Sequence, residues 1–223
     1  SDEALWDLLY EADRLNVQRA RESSAAFVEY VLTHEQTGDQ ITNADFHREW
    51  HQLVAENKWS LIVCPIGHAK TNHIAIGYVL WSIGKNPNLR VALICDSLGQ
   101  AKDRLGSIKR YIETSERLWK VFPHLRPADG SNRPAPGESW SCESITIRRS
   151  VIAKEATVQA FGTGARDLEG KRFDLMVFDD VLNFANTRTS EGCAKTIEWF
   201  IVSRCARSIR MEVTSLFSRV RST

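Results

Sequence analysis

An α/β fold built on a parallel sheet is what this 223-residue sequence predicts. Three observations predict it. Short apolar runs rich in β-forming residues recur along the chain, closed by turn residues. Helix-length stretches lie between them, and such alternation marks parallel strands joined by crossovers. At 43% hydrophobic and 26% charged residues, the chain can also bury one substantial core.

The elements follow in order. Leu5, Leu8, Leu9, Ala12 and Leu15 recur at helical spacing, so a helix is expected up to about Tyr30. HEQTGDQ (34–40) breaks it, and a second helix runs near Phe46 to Asn57. WSLIVC (59–64) reads as a buried strand closed by Pro65 and Gly67. A helix over about Thr71 to Ile83 ends at GKNPN. RVALICD (90–96) is the next buried strand, followed by a long helix through about Trp119. The proline-rich segment 123–138 reads as a surface loop. SITIRRS and ATVQAFGTG are shorter strands, FDLMVFDD (173–180) is a strongly apolar one, and IRMEVTSLF (209–217) is the last. A helix over about Ser190 to Ser208 separates these two. Trp6, Trp50, Trp81, Trp119 and Trp199 fall in the predicted helices and are expected to pack in the core.

Several classes are excluded. No apolar run approaches the roughly 18 residues of a membrane span, and the acidic opening SDEALWDLL is no secretory signal. Five cysteines, without a C-x-x-C pair, give neither a disulfide framework nor a zinc site; reduced thiols in a cytosolic setting are the simple reading. The net charge of +1 is unevenly spread. Residues 1–58 hold 12 acidic and 5 basic side chains, residues 102–172 hold 14 basic and 9 acidic, and residues 181–223 hold 7 basic and 3 acidic. Basic surfaces attract polyanions, although mixed charge on a single helix is usually a solvated face.

CPIGHAKT (64–71) carries the first chemical signal. It ends in Lys-Thr after a strand and before a helix, as a phosphate-binding loop does. Such a loop works because backbone N–H groups converge on phosphate oxygens at a helix start. Lys70 would add charge to the phosphates and Thr71 a hydroxyl for Mg²⁺. The pattern G-x-x-x-x-G-K-[ST] wants glycine where Cys64 and Ala69 stand. Ala69 is the smallest replacement, and Pro65 and Gly67 still shape the turn. FDLMVFDD carries the second signal. Carboxylates at the end of a parallel strand face the ligand crevice. Asp179 would hold Mg²⁺, and Asp180 would orient or deprotonate the attacking water. The bland alternatives are a plain turn with an exposed lysine and a turn that uses two aspartates.

Together these residues resemble the ATPase domain of the large terminase subunit of tailed bacteriophages, from about Asp45 onward. CPIGHAKT is similar to that family's variant phosphate loop, in which Pro-Arg-Gly-His precedes a small residue, Lys and Ser or Thr. GTGARDLEGKRFDLMVFDD is similar to the approach to its acidic strand, TSEGCAKTIEWF to the helix that follows, and DFHREWHQL to its adenine-recognition segment. The resemblance implies a RecA-like ATPase core over residues 46–223 with a helical N-terminal extension over residues 1–45. It implies ATP and Mg²⁺ as ligands. The loop Pro65, Ile66, Gly67, His68, Ala69, Lys70 and Thr71 would bind nucleotide, with His47 at the base. Thr71 and Asp179 would hold the metal, and Lys70 and Asp180 would act in catalysis. Asp180 stands where many members have glutamate; Glu191 is an alternative, with a helix-cap role as its plain reading. Ile66 stands where the family often has arginine, and His47 where relatives often have glutamine. Arg166, or second Arg172, would reach a neighbouring subunit's phosphate. Thr214, beside Ser215, would couple hydrolysis to DNA movement.

The implied function is ATP-driven packaging of double-stranded DNA into a procapsid, in the cytoplasm of an infected bacterium and at the portal. The implied partners are the portal protein, the small terminase subunit and further copies in a ring, with a monomer in isolation and no membrane. Full terminases add a C-terminal nuclease; its acidic cluster has no place before Thr223, so no nuclease activity is expected. The abrupt ends suggest a piece of a longer protein. Two other readings remain open: a helicase-like translocase, and a nucleotide-binding assembly module with little turnover.

Overall fold

The computed structural model describes residues 2–125, 139–168, 170–182, 188–205 and 210–214, with the backbone alone for 201–205 and 210–214. Much of the 123–138 loop, and Ser215, lie outside the described residues.

Among the described residues six strands form one sheet, in the order β1-β6-β5-β2-β4-β3. These are β1 (Trp59–Ile62), β2 (Val91–Cys95), β3 (Ser144–Ile145), β4 (Val158–Gly162), β5 (Leu175–Asp179) and β6 (Arg210–Thr214). β1, β6, β5, β2 and β4 run parallel, and β3 pairs antiparallel with β4. The mixed α/β architecture and mostly parallel sheet agree with the sequence expectation.

β2 and β5 are buried at every position, because both faces of the sheet are covered. Val91, Leu93 and Cys95 join Leu175 and Val177 in the larger core cluster, while Ala92 and Ile94 join Met176 and Phe178 in a second. The alternation is the two-residue period of a strand serving two cores. The larger cluster is closed by α2 (Ser24–Val31), α4 (Val79–Lys85), α5 (Leu98–Thr114) and α6 (Glu116–Val121). On the second face Phe161, Leu168 and Phe173 meet Trp199 and Phe200 of α7 (Ser190–Cys205).

The expected buried strand at WSLIVC is half exposed: Trp59 and Leu61 are 38% and 48% accessible. β1 stands at the end of the strand order, so one side of its backbone has no described strand to pair with. Two single helices of the sequence reading are broken helices. Ser23 ends α1 (Asp2–Glu22) and accepts from Ala26 N–H to start α2, and Ser115 accepts from Leu118 N–H to start α6. A serine oxygen at an N-cap satisfies a helix-start donor and resets the chain direction. Trp50, Trp81, Trp119 and Trp199 pack against the cores as expected, but Trp6 is 70% exposed. In α1 only Ala20 is buried, and the apolar stripe of its first turns points outward.

Candidate functional site

The carboxyl ends of the parallel strands line up in one row. Ile62 pairs with Thr214, Thr214 with Asp179, Asp179 with Cys95, and Cys95 with Gly162. Everything that follows these residues emerges at one edge of the sheet, where α/β folds bind ligands.

β1 delivers the loop Cys64–Thr71 to this edge. Gly67 has φ +88° and Ala69 has φ +53°. A Cβ on Gly67 would meet nothing within 4 Å, so it is the backbone angle that asks for glycine there. Ala69 holds the same left-handed region with a side chain, at a cost of about 1 kcal/mol. It occupies the second glycine position of the pattern, and the missing glycine is thus replaced in conformation though not in ease. No described acceptor is bonded to the amides of Gly67, His68 and Ala69. His68 Nδ1 donates back to the Pro65 carbonyl at 3.2 Å and tightens the turn, while Ile66 projects 76% exposed. The helix after the loop opens as a π-helix, Thr71–Tyr78, before continuing as α4, where the sequence suggested one regular helix. Wide turns of this kind are rare and concentrate at functional sites.

β5 delivers the carboxylates. Asp179 is fully buried. Thr71 Oγ1 donates to its Oδ1 at 3.3 Å and its Oδ2 at 3.1 Å, and Arg104 Nε donates to Oδ2 at 3.2 Å. Asp180 takes φ +51°, which turns its side chain to meet Lys70, whose Nζ lies 2.7 Å from Oδ1. The lysine side chain is 10% exposed and the aspartate 34%. Four residues from the two motifs, more than a hundred positions apart, are therefore in contact. Asp179 and the Thr71 hydroxyl offer two hard oxygens side by side, which suits Mg²⁺; a magnesium ion keeps several waters and takes phosphate oxygens besides. Among the described residues no group of three or more His, Cys, Asp or Glu is placed to hold a metal by itself.

α3 (Asp45–Glu56) leans on the loop through histidines. Ala44 N–H donates to His47 Nδ1 at 3.0 Å, so the neutral ring carries its proton on Nε2 and donates to the His68 carbonyl at 3.1 Å. Both ring nitrogens of His47 are used within the chain, and one face stacks on His73 at 3.9 Å between centroids. His51 sits 2.9 Å from Ser24 Oγ and 3.2 Å from His73 Nδ1. Burial, with the neighbouring histidines adding to it, pushes His51 down to about 4 and His73 to about 3; burial lowers His47 as well. The stack is neutral at pH 7.

The remaining expected residues are dispersed. Thr214 lies in the edge row beside Asp179. Arg166 is exposed in a short 3-10 turn after β4, at the same edge. Arg172 precedes β5 at the opposite edge, where its N–H donates to Glu155, so it does not share the edge of the Cys64–Thr71 loop. Glu191 is exposed in the first turn of α7 and pairs with Lys195 one turn on. Sequence reasoning missed Arg104, His51 and His73. Arg104 had one signal: it lies early in a helix that starts from a strand's carboxyl end. Gly162 lets that helix start approach β4 closely, since a Cβ there would sit 2.8 Å from Leu98 N.

No family model matches the chain, and no curated protein matches it in sequence. Among solved structures, the chain is similar in fold to the large terminase of bacteriophage HK97, with a TM-score of 0.56 and 12% identity over 87% of this chain. The match covers 37% of that terminase. The likeness establishes a terminase-like α/β fold. No helix among the described residues is long and apolar enough to cross a membrane.

Proposed function

We propose that this chain is a Mg²⁺-dependent ATPase unit of a DNA-packaging motor, with RecA-like strand order and a phosphate loop at Cys64–Thr71. The observation that carries the reading is the meeting of Lys70 and Thr71 with Asp180 and Asp179 at the carboxyl edge of a parallel sheet. The placement of β6 between the loop strand and the acidic strand supports it, as does the fold likeness to a phage terminase.

In this reading the amides of Gly67, His68 and Ala69 receive phosphate oxygens at the helix start. Lys70 leaves Asp180 for the β and γ phosphates and neutralises charge there. Thr71 and Asp179 would hold Mg²⁺, which would supply charge neutralisation to the phosphates. Asp180, freed of Lys70, positions water in line with the bond to ADP and accepts its proton. His47 holds the loop by its hydrogen bond to the His68 carbonyl, and the base lies beside it. Arg166 serves a neighbouring copy in a ring, and Thr214 passes the cycle to double-stranded DNA. The portal and small terminase subunit, and a place at the procapsid in the host cytoplasm, belong to the same proposal.

The test is ATP hydrolysis at high protein concentration with Mg²⁺, with and without double-stranded DNA, beside Lys70→Ala and Asp179→Ala. Turnover lost in both variants supports the motor reading. Lys70-dependent binding without turnover leaves a nucleotide-binding assembly module. Absence of binding sinks the ATPase assignment.

A further inference from the structure

We propose that Arg104 is a resident counter-ion that stands on Asp179 in the unliganded chain and competes with the divalent cation for that carboxylate. The inference rests on the ATPase reading and adds a residue which that reading does not require.

Asp179 is inaccessible to solvent. A carboxylate so placed is tolerated only with donors and compensating charge around it. Thr71 supplies a donor; Arg104 supplies the charge, through Nε on Oδ2. That same oxygen accepts from Thr71, so the guanidinium occupies the flank of the oxygen pair that would ligate the metal.

The contact is built to be given up. Among the described residues Arg104 bonds the carboxylate through Nε alone, and its side chain remains 25% exposed. A one-donor contact lacks the geometric hold of a two-donor fork. The helix behind it stays in place, because Ala101, Leu105 and Ile108 of α5 are fully buried. The side chain can therefore leave while its backbone remains. A dication arriving beside Asp179 would face a guanidinium a few ångströms away, and like charges at a part-buried site repel. Either the cation is turned away or Arg104 yields. Phosphate oxygens arriving with the cation give the displaced guanidinium a new anion, as they give Lys70 one. The cation alone should thus bind poorly, and cation and nucleotide should load together.

The experiment is a titration of the whole chain with Mn²⁺, without nucleotide, following free Mn²⁺ by electron paramagnetic resonance. Wild type, Arg104→Met, Asp179→Asn and the double variant are compared. Arg104→Met should bind Mn²⁺ at least about tenfold tighter than wild type, the scale of losing one like charge at a part-buried site. Its melting temperature without metal should fall and recover with Mn²⁺, and the gain in affinity should vanish in the double variant. An Arg104→Met affinity equal to or weaker than wild type, with binding still dependent on Asp179, would show that Arg104 only orients the carboxylate and would overturn the inference alone. Mn²⁺ binding indifferent to Asp179→Asn in both backgrounds would overturn the metal site and the ATPase reading with it. Should Arg104→Met fail to fold, Arg104→Gln, which donates without charge, carries the same expectation.

Discussion

Strand β5 has an aspartate at each end, and each meets an arginine: Arg90 just before β2, and Arg104 in the helix that follows it. Before the strands, Arg90 grips Asp174 with Nε at 2.9 Å, Nη2 at 2.7 Å and its own backbone N–H at 3.0 Å. Glu155 stands 3.8 Å from the same guanidinium. Burial pushes the Asp174 carboxyl up, but Arg90 outweighs it and holds it below the usual carboxylate range. After the strands, Arg104 touches Asp179 with one nitrogen, and the carboxylate is wholly buried. One pair is joined by three bonds, the other by one. The left-handed residues Ala69 and Asp180 both lie at the second edge. The two ends of the sheet therefore differ in kind: one ties the strands with several bonds to one arginine, the other combines a single arginine contact with left-handed backbone.

Mutations should separate the two ends. The largest effect is expected at the carboxyl edge, where Asp179→Asn should lower ATP turnover at least about a hundredfold. The same change should leave stability within about 1 kcal/mol, since it removes a buried charge. Steady-state hydrolysis and urea melts read the two quantities. Arg90→Ala should do the reverse. Two part-buried carboxylates lose their cation, at a cost of about 2–3 kcal/mol in the urea midpoint, with nucleotide affinity unchanged. An unchanged midpoint would remove the clamp from the account.

Acid should find the histidine stack. His51 and His73 titrate near 4 and near 3 in the folded chain, below the ordinary value of 6.5. Between these limits the unfolded chain binds more protons, so stability falls as pH falls from about 6.5 toward 4. Each ring should withdraw on the order of 2 kcal/mol by pH 4.5. Melting temperature against pH checks this, and His73→Phe should flatten the slope. The smallest effects are expected in the loop backbone. Ala69→Gly relieves the left-handed strain but loosens the unfolded chain, for a net gain under about 1 kcal/mol. Gly67→Ala should lose about 1 kcal/mol at φ +88°.

Much of the fold was legible. β2, β5 and α3 lie within a residue or two of their expected limits, because a buried parallel strand is a short unbroken apolar run and α3 keeps a helical period. Periodicity could not show that β1 ends the described strand order, that no described residue covers α1's stripe, or that Thr71–Tyr78 winds wide. Those are matters of neighbours. The broken helices were nearer to hand, since Ser23 and Ser115 are ordinary cap residues. Of the candidate site, Lys70, Thr71, Asp179 and Asp180 announced themselves by spacing. Arg104 and the histidine stack follow no motif and acquire meaning only from what they touch.

By itself the sequence determined the strand-and-helix alternation, the loop at the end of β1 and the two aspartates at the end of β5, because local propensity and hydrophobic period act within a few residues of chain. The tertiary structure alone decided that Lys70 rests on Asp180, that Arg104 of α5 reaches Asp179, and that Ala69 bends like a glycine. Those facts depend on packing that brings residues from distant positions to one edge, and on a dielectric that only a folded interior provides.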